Sequence, residues 1–224
     1  MLKLEHETLN DRAYRAMKQE LISGHFAPGQ VLVIRQLASN LGISTTPIRE
    51  ALQRLVAERI LEVQKNRSIA IPLLSATTFR ELVQIRCAVE GLATEMAAKH
   101  MEADQLATLR HLTESMDATL RPSHSRRYLA LNEKFHFTIY EASGAPILLD
   151  MIRNLWGRIG PYLNYLFEVE PYVPHANDYH RQVIAALHKR AAKAARAAMI
   201  RDISDAAGAM AKKLPTAADR HAAT

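Results

Sequence analysis

The sequence predicts a mainly α protein, with an N-terminal winged helix-turn-helix followed by an all-α antiparallel helical bundle. Three observations lead there. Two short helical periods meet at Gly42 with almost no room between them. Two alternating apolar runs then flank a basic turn, Lys65-Asn66-Arg67. From Ser75 onward no strand period remains.

Taken in order, residues 8–23 read as a helix with the apolar stripe Ala13, Tyr14, Met17 and Leu21, placed to support the helix-turn-helix. Pro28-Gly29 makes a turn before a short strand at Val31-Leu32. Ile34, Leu37, Ala38 and Leu41 then fall at i, i+3, i+4 and i+7, one apolar helical face that Gly42 closes. In Ser44-Thr45-Thr46-Pro47 a hydroxyl can cap a second helix, with Pro47 in its first turn. That helix buries Ile48, Leu52, Leu55 and Val56 and turns Thr45, Thr46, Arg49 and Gln53 outward. Strands at 60–64 and 68–71 around the basic turn complete a wing, and Pro72 ends the pairing. An ordinary αα-corner would share the first two helices but not the wing.

Helix-turn-helix geometry aims the start of the second helix at a major groove. The expected DNA-contacting residues are therefore Arg35, Ser44, Thr45, Thr46 and Arg49, with Lys65 and Arg67 reaching the backbone from the wing.

Composition is that of an ordinary globular chain: 224 residues, 48% hydrophobic, 23% charged and a net charge of +6. Residues 1–72 hold ten Lys/Arg against seven Asp/Glu, and the remainder nineteen against sixteen. Each part is +3, so placement rather than bulk charge locates a polyanion surface. No apolar run approaches the ~18 residues of a membrane span and Met1–Glu7 is no signal peptide, which predicts a cytoplasmic protein without a membrane partner. The single cysteine, Cys87, excludes an internal disulfide and a cysteine zinc cluster.

The bundle should contain helices at about 76–99, 103–119, 125–142, 146–167, 176–188 and 190–212, punctuated at 121–123, 143–146 and 171–174. The expected domains are 1–74 for DNA binding, 75–212 for effector binding and dimerisation, and 213–224 as a tail with little to bury.

Polar residues inside apolar stripes are the informative ones. Asn132 and His136 sit one turn apart among Tyr128, Leu129, Phe135 and Ile139. His180 shares a stripe with Val183, Ile184 and Leu187, and Asp202 lies among alanines and Met199. Each alone reads as a hydrogen-bonded core residue. Together, an amide, two imidazoles and a carboxylate suit one divalent metal, Zn²⁺, Ni²⁺ or Mn²⁺. Metal affinity should then fall as pH drops through about 6.5 and the imidazoles protonate. Arg86 is also inward, either pairing with Glu90 at i+4 or clamping a carboxylate effector.

The run from Asn40 to Leu55, with Gly24–Leu32 before it, resembles the N-terminal domain of GntR-family transcription regulators. Arg59 stands where the family usually has Gly, as does Ser68 after the wing arginine. Ile85-Arg86 through Glu90, Leu131–His136 and Tyr179–Arg181 resemble the helical, FCD-type effector domain of its FadR-like branch. That resemblance implies control by a small organic carboxylate. A single winged domain makes too few contacts for strong specificity, which predicts a homodimer on a short palindromic operator in double-stranded DNA. It also implies a metal held at Asn132, His136 and His180, with Asp202 in the place of the last histidine.

Two alternatives remain open. The helical domain could be a scaffold without metal or effector. Glu133-x-x-His136 is also half of a di-metal enzyme site, but no second such motif, P-loop or nucleophile elbow accompanies it.

Overall fold

The computed structural model describes residues 8–120, 122–168 and 177–214. The tail beyond Leu214, like the turn at 171–174, lies outside them.

Helix α1 (Leu9–Ile22) starts where the Thr8 hydroxyl accepts from the Asp11 amide at 3.1 Å. Helices α2 (Ile34–Leu41) and α3 (Thr45–Ala57) meet at Gly42, whose φ of 65° is the left-handed turn the sequence required. Ser44 is the residue before α3, but its hydroxyl caps nothing. Strands β1 (Glu62–Val63) and β2 (Ile69–Ala70) pair antiparallel with Glu62 opposite Ala70, and Val31 bridges to Ala70. The wing strands are shorter than the alternation suggested, because Ile60 and Leu61 turn into the domain core instead of pairing. In α2, Leu41 is left exposed rather than packed.

Helices α4 (Ala76–His100), α5 (Ala103–Asp117), α6 (Ser125–Glu141), α7 (Pro146–Ile159), α8 (Asp178–His188) and α9 (Ala192–Ala211) form the bundle. The longest packing seam runs between α4 and α9, where Gly91 lets Arg196 and Ile200 approach the α4 backbone. The expected helix 146–167 is not one α-helix. It stops at Ile159 and continues as 3-10 turns from Gly160 to Phe167. Pro161 has no amide for the α-helical ladder, and the Gly160 backbone is pressed onto the end of α1. Helix α9 begins at Ala192 rather than 190, since Arg190 adopts φ 52°.

Two apolar cores result, one under the helix-turn-helix around Leu21, Ile48, Leu52 and Leu55, the other inside the bundle around Phe135, Ile139, Trp156 and Met199. No helix among the described residues is long and apolar enough to cross a membrane.

Candidate metal centre and nucleic-acid interface

At the N-terminal end, Arg35, Ser44, Thr45, Thr46, Arg49, Lys65 and Arg67 are all exposed. The first five lie on α2 and at the start of α3, and the last two at the hairpin tip. Arg67 takes φ 63°, held by its amide donating to the Gln64 carbonyl, and the Asn66 side chain accepts from the Ser68 amide. The left-handed residue of the wing is thus Arg67 itself, so Ser68 needs no glycine. Behind α3, Glu58 accepts from the Tyr14 hydroxyl and Lys18, which ties the recognition helix to α1.

Three of the four inward ligand-type residues come together within the bundle. His136, His180 and Asp202 are buried, with one ligand atom from each lying within 4.8 Å of the others. His136 Nε2 is 3.4 Å from one Asp202 oxygen and His180 Nε2 is 3.4 Å from the other. Asn132 is buried on the same face of α6 one turn before His136, and its amide has no hydrogen-bond partner among the described residues.

The surrounding hydrogen bonds determine which imidazole nitrogen carries the proton. Asn177 turns its amide nitrogen to Asp117 at 2.7 Å and its oxygen to the Tyr128 hydroxyl at 2.9 Å. That oxygen also lies 3.2 Å from His180 Nδ1, which must therefore be the donor. Tyr140 gives its proton to Glu90, so its oxygen accepts from His136 Nδ1 at 3.0 Å. Both Nε2 atoms then present lone pairs to Asp202. Lone pairs facing a buried carboxylate are mutually repulsive unless a cation or a proton lies between them.

Burial decides how the apo cluster meets this. It pushes the Asp202 carboxyl up to about 8, despite the opposing charge of Arg86. It pushes His180 down to about 3, with Arg181 acting the same way. His136 is held well below the ordinary range by burial, then by His180 and Arg86. Proton competition for a metal therefore falls on Asp202 near pH 8, not on histidines near 6.5. The donor set, two imidazole lone pairs, a carboxylate and an amide, fits a divalent ion.

Arg86 is in the pair that its i+4 spacing offered. Its Nε and Nη2 lie 2.6 and 3.2 Å from the two Glu90 oxygens, and Glu90 also accepts from Trp156 Nε1 at 3.0 Å. Tyr140, Asn177 and Asp117 were not singled out from sequence. Tyr140 could have been, since it lies four residues after His136 on the same stripe. Nothing local marks Asn177 or Asp117, because their roles arise from the α5–α8 packing.

Comparison with known proteins agrees with this architecture. Residues 9–71 match the family model described as bacterial regulatory proteins, gntR family, and residues 81–205 match the FCD domain. The HTH-type transcriptional regulator McbR of Escherichia coli is 33% identical over 181 residues, covering 80% of this chain and 82% of that one. The Nta operon transcriptional regulator of Aminobacter aminovorans is 33% identical over 138 residues, covering 62% of this chain and 65% of that one. The solved structure of E. coli McbR/YncC superposes with a TM-score of 0.85 at 27% identity, covering 94% of this chain and all of that one. The chain is a transcriptional regulator rather than an enzyme, and it belongs to the gntR family of bacterial regulatory proteins, with a helix-turn-helix domain followed by an FCD domain.

Proposed function

We propose that this regulator binds a short palindromic operator as a homodimer in the cytoplasm, and that a small organic carboxylate bound at a divalent metal in the helical domain controls it. The observation that carries the metal is the pair of imidazole lone pairs converging on Asp202 beside the Asn132 amide. Asn132, His136, His180 and Asp202 would hold the ion, which supplies positive charge on which a carboxylate can dock. Arg86 is close enough for its charge to act on His136 and Asp202, with its partner Glu90 opposing it at Asp202. A ligand drawing α4, α6, α8 and α9 together favours one packing of the bundle and so biases where the DNA-binding domain sits.

DNA contacts are assigned to Arg35, Ser44, Thr45, Thr46 and Arg49, with Lys65 and Arg67 on the backbone. The domain limits we assign are 1–74 and 75–212. For the dimer, support comes from the outer face of α4, where Ile85 and Leu92 are each 42% exposed. Neighbouring α7 leaves Ile147 and Met151 exposed as well.

One other reading has a specific observation behind it. With its carboxyl at about 8, Asp202 can instead stay protonated and hydrogen-bond an imidazole, leaving a metal-free regulator. Metal analysis of protein purified without an affinity tag, followed by a thermal-shift screen of organic acids with and without Zn²⁺, Ni²⁺ or Mn²⁺, separates the two. Stoichiometric metal and an acid response that needs it establish the proposal. No bound metal at any pH between 7 and 9 leaves the protonated network.

A further inference from the structure

We propose that Glu133 is the latch between the two domains, the residue through which a shift of the ligand-bearing helix α6 reaches the DNA-binding domain. Its carboxylate leaves the bundle and accepts from Gln19 Nε2 at 2.6 Å and from Ser23 Oγ at 2.6 Å, at the last turn of α1. Gln19 Nε2 also donates to Ser23 Oγ at 3.1 Å, which closes the three groups into a ring. These partners lie 114 and 110 residues away in sequence, so the contact belongs to the domain arrangement and not to either domain alone.

What distinguishes this contact is the helix it comes from. Five other hydrogen bonds between the domains are made by α7 and the turns after it. They end on main-chain atoms: Asn154 and Arg158 on the Glu58 carbonyl, Asn164 on Gly24, and Tyr162 on Pro72 and Leu74. That segment carries no member of the His136–His180–Asp202 cluster. Helix α6 carries His136 and Asn132, and Glu133 is the residue next to Asn132. A change in how α6 sits around the cluster therefore displaces the Glu133 carboxylate directly.

The receiving end is built to pass the displacement on. A Cβ on Gly160 would stand 2.1 Å from the Leu21 carbonyl oxygen, so the end of α1 is seated on main chain from the α7 side. Glu133 holds the same turn from the α6 side. Helix α1 in turn packs along α3, with Tyr14 and Lys18 bound to Glu58. Rotation of the last turn of α1 carries the recognition helix with it. Charged hydrogen bonds of this kind, partly shielded from water, hold one arrangement without preventing another.

The latch itself does not depend on the metal; only its coupling to the cluster rests on the proposed function. The test uses the full chain with Glu133→Ala, and Ser23→Ala as the matching change from the other domain. Three quantities are read: hydrogen exchange of the Ser23, Gly24 and His25 amides, which are bonded to Gln19, Leu21 and Glu20 carbonyls; operator affinity; and Zn²⁺ affinity. Both variants should fold with wild-type helicity and wild-type Zn²⁺ affinity, exchange those amides about tenfold faster, and lose any effect of Zn²⁺ on operator affinity. Unchanged exchange in both variants overturns the latch. Faster exchange with an intact Zn²⁺ effect on operator binding overturns the coupling. Should the wild-type chain bind no Zn²⁺, the metal reading falls and the latch is decided by exchange and by whether Glu133→Ala changes operator affinity.

Discussion

Arg86 and Glu90 form a two-pronged ion pair that is sealed from water, with Arg86 4% exposed and Glu90 not exposed at all. Such a pair stabilises less than its geometry suggests, because both charges are stripped of water. Removing one partner is different, since it strands the other charge. Glu90→Ala should therefore cost about 3–5 kcal/mol in denaturant unfolding, whereas the double change Arg86→Met with Glu90→Leu should cost clearly less than Glu90→Ala alone. A double variant as unstable as the single one would show that the network, not the stranded charge, matters.

Asp202 would set the pH response of metal binding. Its folded carboxyl, at about 8, lies above its unfolded value of 3.8. The folded apo chain thus holds a proton that the unfolded chain has released, and its stability falls as pH rises towards 8. The histidines, held low in the folded state, act oppositely, but their effect fades within about one pH unit above 6.5. Between pH 6.5 and 8, apo stability should decline by about 1–2 kcal/mol. Metal displaces that same proton, so Zn²⁺ affinity should rise up to about tenfold per pH unit over this range and then level off. Calorimetry in two buffers of different ionisation enthalpy measures the released proton directly.

On DNA the two groups of side chains should behave differently. Arg49→Ala should cost about 1–3 kcal/mol of operator affinity and relax preference at one base pair. Lys65→Ala or Arg67→Ala should weaken all sequences alike and reduce the salt slope by about one. Binding isotherms on operator and scrambled DNA at several salt concentrations distinguish these outcomes.

Arg59 ends α3 with φ 57°, a conformation that burdens a side chain with a Cβ. Arg59→Gly should raise stability by about 1 kcal/mol, and it also removes the charge that lowers the Arg158 pKa alongside burial. Thermal unfolding checks the sign. The gain should be absent in Arg59→Ala, which keeps the Cβ.

Leu92→Glu places a charge on the outer face of α4 without touching the cluster. Light scattering should show a dimer become a monomer, with operator affinity falling while Zn²⁺ affinity is kept.

What the sequence disclosed was local, and what it withheld was tertiary. The Gly42 turn and the stripes that turn His136 and His180 inward come from spacing and backbone preference. The break at Gly160 was hidden, because that glycine answers to the Leu21 carbonyl of a distant helix. Glu133 lay at the edge of an apolar face, where it read as half of a metal motif. Only the docking of α1 reveals its partners. The imidazole tautomers were equally out of reach, since Asn177 is oriented by Asp117 and Tyr128, and Tyr140 by Glu90, all from other helices.

The seating of Leu21 on Gly160 has a consequence for operator architecture. A domain on a loose tether could follow half-sites that slide apart, but one resting on main chain is held to few orientations. In a dimer, one inserted base pair would turn the second half-site by roughly 35° and carry it about 3.4 Å further along the duplex. Both movements work against a joint where a single methyl group has no room. In such a dimer the distance between half-sites would become part of the recognised signal, set by the junction of the domains and read without any contact to the intervening bases.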